Sequence, residues 1–214
     1  MVEVRKYQLP PTELIPNSPR PLLHYPGILL SSGSIATAAY DAFSDNGWRV
    51  QWIFRYGPSQ VSHYHSATHE CMAVLSGTAT IRFGVADTVP DLDESTQGSG
   101  KEDGGIELQA HVGDVFIIPA GVAHKTFNTE PSAEFKLLTP GDGHHIAAKD
   151  VRRALEELPL SGFTMIGAYP EGGAWDFAKG GESTGNYEAV WAVSTPEKDP
   201  VLAKAEEGLC GQWK

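Results

Sequence analysis

The chain has little cysteine and no long apolar run, and each absence excludes a class of protein. Among its 214 residues only Cys71 and Cys210 are cysteines, too few for the disulfide framework of a small secreted domain. No stretch of about 18 apolar residues occurs, so the sequence predicts no membrane-spanning helix. The beginning also lacks the apolar segment of a signal peptide. We therefore expect a cytoplasmic protein with no membrane partner.

Positive charge is also scarce. The sequence has 16 lysines and arginines against 27 aspartates and glutamates, a formal charge of −11 and a pI of about 5.1. Such a surface repels phosphate backbones over most of its area, so we expect no nucleic-acid partner. The hydrophobic content of 41% is that of an ordinary globular protein. A chain of this length fits one domain with extensions.

Two glycine-bounded blocks carry the chemistry of the sequence. The first, "GPSQVSHYHSATHECMAVLSG", has the spacing G(x)5HxH(x)4E(x)6G, in which the polar positions are His63, His65 and Glu70. The second, "GDVFIIPAGVAHKTFN", has the spacing G(x)5PxG(x)2H(x)3N and contributes His124. A lone HxH pair would be weak evidence for a metal site. The glutamate, the glycine frame and the second block make the pattern specific.

Histidine and glutamate are typical metal ligands. Imidazole binds Zn, Cu, Fe and Ni, while a carboxylate adds a hard oxygen that also suits Mn or Fe(II). Side chains two positions apart on a strand point to the same face, so His63 and His65 can both bind one ion. Four ligands leave coordination positions for water, substrate or dioxygen, as a catalytic metal requires.

The two blocks in this order resemble the signature of the cupins, with no defining position departing from it. Three further motifs are similar to the small, single-domain YjlB-like cupins of bacteria and fungi: "IPNSPRPLLHYPG", "HYHSATHE", and "GAYPEGGAWD" followed by "DPV". The resemblance implies one divalent transition metal (Fe, Mn, Ni, Cu or Zn) bound by His63, His65, Glu70 and His124. It also implies an all-β fold, a cupin jelly-roll β-barrel with a proline-rich N-terminal arm and a few peripheral helices.

Composition along the chain predicts how this barrel is extended. Prolines make residues 1–27 an extended arm, and the barrel is expected to span residues 28–145. Within it, the acidic and glycine-rich residues 87–105 are predicted to be a mobile insertion, with a lid as an alternative role. Residues 146–214 are predicted to form a C-terminal helix and an extension packed on the barrel, with a strand at "YEAVWAVS". The segment "WRVQWIFRYG" alternates, which predicts a strand with one continuous apolar face.

Two residues outside the ligand set are candidates for a catalytic role. His69 precedes Glu70, so strand alternation points it away from the ion. It is predicted to make a supporting hydrogen bond, with a fifth-ligand or acid/base role as the alternative. Arg82 could bind a substrate carboxylate if it faces the barrel interior, or be a solvated charge if it faces outward.

The resemblance bears on function more weakly than on fold. Cupins with three histidines and one glutamate include dioxygenases, oxalate-type decarboxylases and isomerases. We therefore favour an enzyme acting on a small oxygenated metabolite (a carboxylate, enol or phenol), with a dioxygenase-type oxidoreductase ahead of a lyase or isomerase. A non-catalytic cupin that binds a small molecule is the alternative. Because cupins frequently pair and the arm could build an interface, we expect a homodimer.

Overall fold

The structure is a computed structural model that describes residues 2–30 and 33–214, so Met1, Ser31 and Ser32 lie outside the described residues. None of the helices in this part of the chain is long and apolar enough to cross a bilayer. The strands are β1 (Arg5–Tyr7), β2 (Leu22–Tyr25), β3 (Trp48–Arg55), β4 (Glu70–Ser76), β5 (Thr78–Phe83), β6 (Ile106–Ala110), β7 (Val115–Ile118), β8 (His124–Glu130), β9 (Lys136–Leu137) and β10 (Thr164–Pro170). The helices are α1 (Ile35–Asp45), α2 (Leu92–Gln97), α3 (Val151–Glu156), α4 (Tyr187–Trp191) and α5 (Leu209–Gln212).

Antiparallel strands form two sheets that share one apolar core. The larger sheet has seven strands in the order β1-β2-β7-β4-β10-β3-β9, and the smaller has three in the order β6-β5-β8. Met72 and Phe116 of the larger sheet pack in one cluster with Ile81 and Phe83 of the smaller. The rings of Phe83 and Phe116 lie 5.7 Å apart between centroids. The expected all-β architecture with a few helices is confirmed.

The larger sheet is covered on both faces, which explains the near-continuous apolar runs in its strands. On the outer face, Ile53, Cys71 and Ile117 belong to a second cluster. Phe43 of α1 packs in the same cluster, and the side chain of Ser34 caps the start of this helix. The outer face therefore packs in its own apolar core. The inner face packs in a separate cluster and carries side chains of the candidate site.

A β-bulge in β3 breaks the predicted alternation. The pairing with β10 shifts between Gly167 and Ala168, which lie opposite Trp52 and Val50. Gln51 is therefore an extra residue, which turns Val50 to the outer cluster and Trp52 to the inner one. The prediction of one continuous apolar face along this strand is wrong. Only glycine fits at position 167, because an added Cβ would overlap the Trp52 ring.

The acidic insertion is folded against the smaller sheet, which differs from the expectation of a segment unable to order itself. The guanidinium of Arg82 donates to the carbonyls of Ser95 and Thr96 in α2, at 3.0 and 2.7 Å. The ammonium of Lys125 donates to the Ser95 hydroxyl at 3.0 Å. The segment buries little apolar area, but two cations from the neighbouring strands satisfy its polar groups. Its mobility stays a prediction.

The sheet uses more of the chain than residues 28–145. β2, from the predicted arm, pairs with β7, and β10, from the predicted extension, lies between β4 and β3. The predicted boundaries at residues 27 and 145 therefore cut through one sheet and are corrected. The prediction of a strand at "YEAVWAVS" is also wrong, since α4 forms there. Short apolar runs do not distinguish strand from helix, and Glu188 and Ala189 favour helix.

Candidate metal centre

His63 and His65 lie on a short extended segment between β3 and β4. The backbone N–H of His63 donates to the carbonyl of His124 at 3.2 Å, and the N–H of His124 donates back at 2.8 Å. On the other side, Tyr64 exchanges two backbone hydrogen bonds with Ala178, at 2.9 and 3.0 Å. Because side chains alternate along extended backbone, both imidazoles lie on the same face of this segment.

His124 begins β8 directly after a tight turn. Gly121 has φ +88°, in the left-handed region that glycine adopts without steric cost. An added Cβ there would overlap the carbonyl oxygen of Asn17. The N–H of Gly121 donates to the carbonyl of His65 at 2.9 Å. The turn in the second block is therefore bonded directly to the first block, and this brings His124 to the histidine pair.

Glu70 begins β4 and lies against two of the imidazoles. Its Oε1 is 3.2 Å from Nε2 of His65, and its Oε2 is 3.3 Å from Nε2 of His124. The hydroxyl of Tyr169 donates to Oε1, and Nε1 of Trp52 donates to that hydroxyl at 3.0 Å. A chain of hydrogen bonds from β3 through β10 thus fixes the orientation of the carboxylate.

Backbone carbonyls fix the tautomer of all three imidazoles. Nδ1 of His63 and of His124 each contact the carbonyl two residues earlier, at 3.0 and 3.3 Å. Nδ1 of His65 contacts the carbonyl of Asp176. A carbonyl oxygen only accepts, so each Nδ1 carries a proton and donates it. In the neutral rings the lone pair is then on Nε2, the atom available to a metal.

The three imidazoles form a group that could hold a divalent transition metal, and Glu70 lies against two of them. The nitrogen ligand atoms of His63, His65 and His124 all lie within 4.8 Å of one another. Two ligand atoms about 2.1 Å from one ion and at right angles to each other lie about 3 Å apart. The distances of 3.2 and 3.3 Å from Glu70 to two imidazoles are close to that value. Oε2 of Glu70 is buried without a hydrogen bond, which suits a carboxylate oxygen that a cation would satisfy.

Burial and mutual proximity set the protonation of the cluster. Burial lowers the pKa of His63 well below 6.5 and that of His124 to about 4. Burial alone would raise the pKa of Glu70, but His65 and His124 hold it at about 2. Burial opposes a charge on His65, yet the Glu70 carboxylate raises the pKa of this histidine above its usual value. The cluster therefore presents a carboxylate and mainly neutral imidazoles, which are the states that bind a metal.

His69, one of the two candidate catalytic residues, lies behind the cluster. Its Nδ1 accepts a hydrogen bond from the N–H of Ala120 at 2.9 Å, and its ring lies 4.8 Å from that of Trp213. Since Nδ1 is occupied and the ring does not line the cavity above the cluster, the fifth-ligand role does not fit this position. His69 instead anchors the turn that precedes His124.

Arg82, the other candidate, faces away from the cluster. Its guanidinium donates to the carboxylate of Glu107 at 2.8 Å and to two carbonyls of α2. The ring of Phe127 lies beneath it, 4.8 Å from the guanidinium carbon. A role in binding substrate is therefore not supported, because its contacts are with Glu107 and Phe127 of the smaller sheet and with two carbonyls of the insertion.

A cavity of about 90 Å³ lies next to the cluster. Besides the clustered side chains and Tyr169, Gln60 and Met72 contribute to its wall. The rest of the wall is aromatic and consists of Trp52, Phe54, Tyr56, Phe135, Trp175 and Phe177. The sequence pattern placed the first three of these on one apolar strand face, without a role at the site, and did not identify Phe135, Tyr169, Trp175 and Phe177.

The loop after β10 closes one side of the cavity. The carboxylate of Asp176 accepts hydrogen bonds from the N–H of Ser66 at 2.8 Å and from its hydroxyl at 2.7 Å. The carbonyl of Asp176 holds His65. Phe177 lies flat on His63, with ring centroids 3.8 Å apart and planes 12° apart. The "GAYPEGGAWD" motif ends at Asp176 and contains Tyr169 and Trp175, so it was a signal in the sequence for this part of the wall, and Phe177 directly follows it.

A protein-family model described as "Cupin" matches residues 57–161. This range contains both glycine-bounded blocks and all four clustered side chains. The chain therefore contains a cupin domain, as its sequence indicated. Over nearly its whole length it is similar to "Uncharacterized protein YjlB" of Bacillus subtilis (strain 168), at 28% identity over 211 residues, which covers 95% of this chain and 93% of that protein. The predicted YjlB-like membership is confirmed.

Solved structures with partial similarity include a vicilin from Solanum melongena, at 16% identity and a TM-score of 0.28, covering 56% of this chain and 23% of that chain. An oxalate decarboxylase of Lactobacillus farciminis matches at 14% identity and a TM-score of 0.31, covering 60% and 27%. Hydroquinone 1,2-dioxygenase PnpCD matches at 12% identity and a TM-score of 0.28, covering 58% of each chain. The chain thus spans about a quarter of the length of the vicilin and of the oxalate decarboxylase. At these scores nothing about the reaction follows.

Proposed function

We propose that the chain is a metal-dependent enzyme that acts on a small oxygenated metabolite. One divalent transition metal is held by Nε2 of His63, His65 and His124 together with the carboxylate of Glu70. The observation that carries the proposal is the group of three buried imidazoles, two of which contact the buried carboxylate of Glu70, with every Nδ1 already bonded to a backbone carbonyl. Such a preset ligand cluster next to a cavity is the usual setting of catalytic metal chemistry.

Residues around this centre orient the proposed ligands and line the cavity. When bound, the ion supplies Lewis acidity and, for Fe, Mn, Ni or Cu, redox chemistry. Tyr169 holds the Glu70 carboxylate in one orientation, and Asp176 holds the ring of His65. The aromatic wall limits water in the cavity, which strengthens electrostatic interactions inside it.

The protonation states in the cavity favour a dioxygenase-type oxidoreductase over a lyase or isomerase of the same site. Decarboxylation or isomerisation moves protons and needs an acid or base near neutral pKa. Burial raises the pKa of Tyr56 and Tyr169 well above 10, and Gln60 does not titrate. The pKa values of His63, His124 and Glu70 are also shifted away from neutrality, so among the described residues that line the cavity only His65, itself a proposed ligand, is left for such proton transfer.

Elemental analysis and substrate screening test the proposal together. Protein purified from its native host should carry about one equivalent of a transition metal per chain. Screened against carboxylates, enols and phenols, it should give turnover in air and none without oxygen. Turnover that is independent of oxygen would favour the lyase or isomerase. Bound metal without turnover, oxygen uptake or spectral change would identify a non-catalytic binding cupin instead.

The homodimer and the cytoplasmic location also stay predictions. In the structure the N-terminal arm contributes β1 and β2 to the sheet of its own chain, with β1 at the sheet edge. An edge strand is where a second copy could add its own strand. Light scattering of the purified protein at several concentrations measures its oligomeric state directly.

A further inference from the structure

The cavity next to the metal centre has an apolar, ring-lined mouth. Phe135 is 56% exposed and Phe177 is 43% exposed. In residues 2–30 and 33–214 these are the only strongly exposed Phe, Tyr or Trp side chains, and both line this cavity. Phe135 stacks on Phe54 with ring centroids 5.1 Å apart and planes 21° apart. Exposed aromatic rings around a cavity mark a surface where a bound ligand would bury apolar area. An aromatic ligand also stacks favourably on such rings.

The cavity offers no positive side chain to a substrate. Neither lysine nor arginine is among the residues that line it. Arg55, which follows the cavity-lining Phe54 on β3, donates to the carbonyl of Glu134 at 2.9 Å and to the hydroxyl of Ser161 at 3.2 Å. A divalent ion and the Glu70 carboxylate together leave about one positive charge, which one anionic oxygen neutralises. A second carboxylate on the substrate would be buried without a partner, which is costly.

The dimensions restrict the ligand to one ring. The cavity of about 90 Å³ is smaller than an engineered cavity of about 150 Å³ that binds benzene. A single ring therefore fits only if it extends into the mouth between Phe135 and Phe177. Gln60 supplies the one uncharged amide on the wall. Its Oε1 contacts the N–H of Thr126 at 3.4 Å, so its amide nitrogen is the end that can donate to a substituent.

We propose that the site selects a single-ring phenol that carries no further charged group. The phenol oxygen lies toward the cluster of His63, His65, Glu70 and His124, and the ring packs against Phe135 and Phe177. These two phenylalanines determine specificity. The position of the oxygen rests on the proposed function, whereas the ring contacts rest on the aromatic wall alone.

Calorimetric titration of phenol and of oxalate into zinc-loaded and zinc-free protein tests this proposal. Phenol should bind the zinc-loaded protein more tightly than oxalate does. Phe135→Ala, which removes a ring that is not among the clustered ligands, should weaken phenol binding about tenfold, and Phe177→Ala should do so as well. Leu92→Ala, at an exposed apolar position on α2, should leave phenol affinity unchanged. Tighter binding of oxalate, or unchanged phenol affinity in Phe135→Ala, would overturn the proposal.

The titrations into zinc-free protein distinguish a failure of this proposal from a failure of the proposed function. If the protein fails to retain zinc, the metal-dependent function is wrong, but phenol binding that still depends on Phe135 supports the ring site. If the protein retains zinc and phenol does not bind, the ring site is wrong and the metal centre stands. Zinc content measured in each variant shows whether Phe177→Ala acts on the ring contact or through the stacked His63.

Discussion

Replacement of both His65 and His124 by alanine is expected to abolish stoichiometric metal binding. The pair supplies two of three imidazoles and both of the nitrogens that contact Glu70. The remaining His63 and Glu70 provide too few ligands to hold a transition metal against solvent. We expect the metal content to fall from about one equivalent per chain to under about one tenth. Elemental analysis after dialysis against a weak chelator measures the loss.

The matched control removes two histidines that lie elsewhere. His111 and His145 are exposed, and neither belongs to the ligand cluster, so His111→Ala with His145→Ala should retain the wild-type metal content. Circular dichroism of both double variants shows that the fold is intact. Full metal content in the His65→Ala, His124→Ala protein would mean that the ion binds at another place.

Tyr169→Phe is expected to weaken metal binding about 10- to 100-fold while leaving all four ligands in place. The Tyr169 hydroxyl is the donor to Oε1 of Glu70 and also the acceptor for Nε1 of Trp52. Without it the carboxylate loses its fixed orientation and the indole N–H loses its partner. Competition with a chromophoric zinc chelator gives the dissociation constant.

Tyr25→Phe is the control for a general effect of losing a buried tyrosine hydroxyl. Tyr25 is also fully buried and also donates to a buried carboxylate, that of Asp199, but in the outer cluster. Both variants should lose stability, by about 1.5–3 kcal/mol, and only Tyr169→Phe should lose zinc affinity. An equal loss of zinc affinity in both variants, or in neither, would contradict an orienting role for Tyr169.

The proximity of the four proposed ligands could be predicted from the sequence because it is encoded locally. The HxH pair needs only strand alternation, and Glu70 follows after one short connection. His124 depends on a turn whose glycine has a positive φ, and that requirement is visible in the second block. Two spaced blocks therefore fix which side chains meet, although they are far apart in sequence.

The cavity wall could not be predicted in the same way. Tyr169 and Phe177 come from a segment about a hundred residues after the first block, and only the strand order brings it between β3 and β4. The position of Trp52 depends on the bulge at Gln51, which exchanges the two faces of β3. Period-two patterns assume regular strands, so one inserted residue reverses the assignment of every position beyond it.

Two further differences between the sequence expectations and the structure have a common cause. The acidic insertion is held by polar contacts from Arg82 and Lys125, and α4 is held to the arm by Trp191, whose Nε1 donates to the carbonyl of Pro16 at 3.1 Å. Composition and periodicity measure local preference. Neither detects a contact between residues that are distant in sequence, and such tertiary contacts override weak local preferences.

Anomalous diffraction from crystals grown with zinc, recorded on both sides of the zinc absorption edge, tests the metal centre most directly. One strong peak is expected at about 2.0–2.2 Å from Nε2 of His63, His65 and His124 and from a carboxylate oxygen of Glu70. A peak beside Nδ1 of these rings or at the exposed His144 and His145 would contradict the proposed metal centre. So would no peak in crystals whose dissolved protein contains zinc.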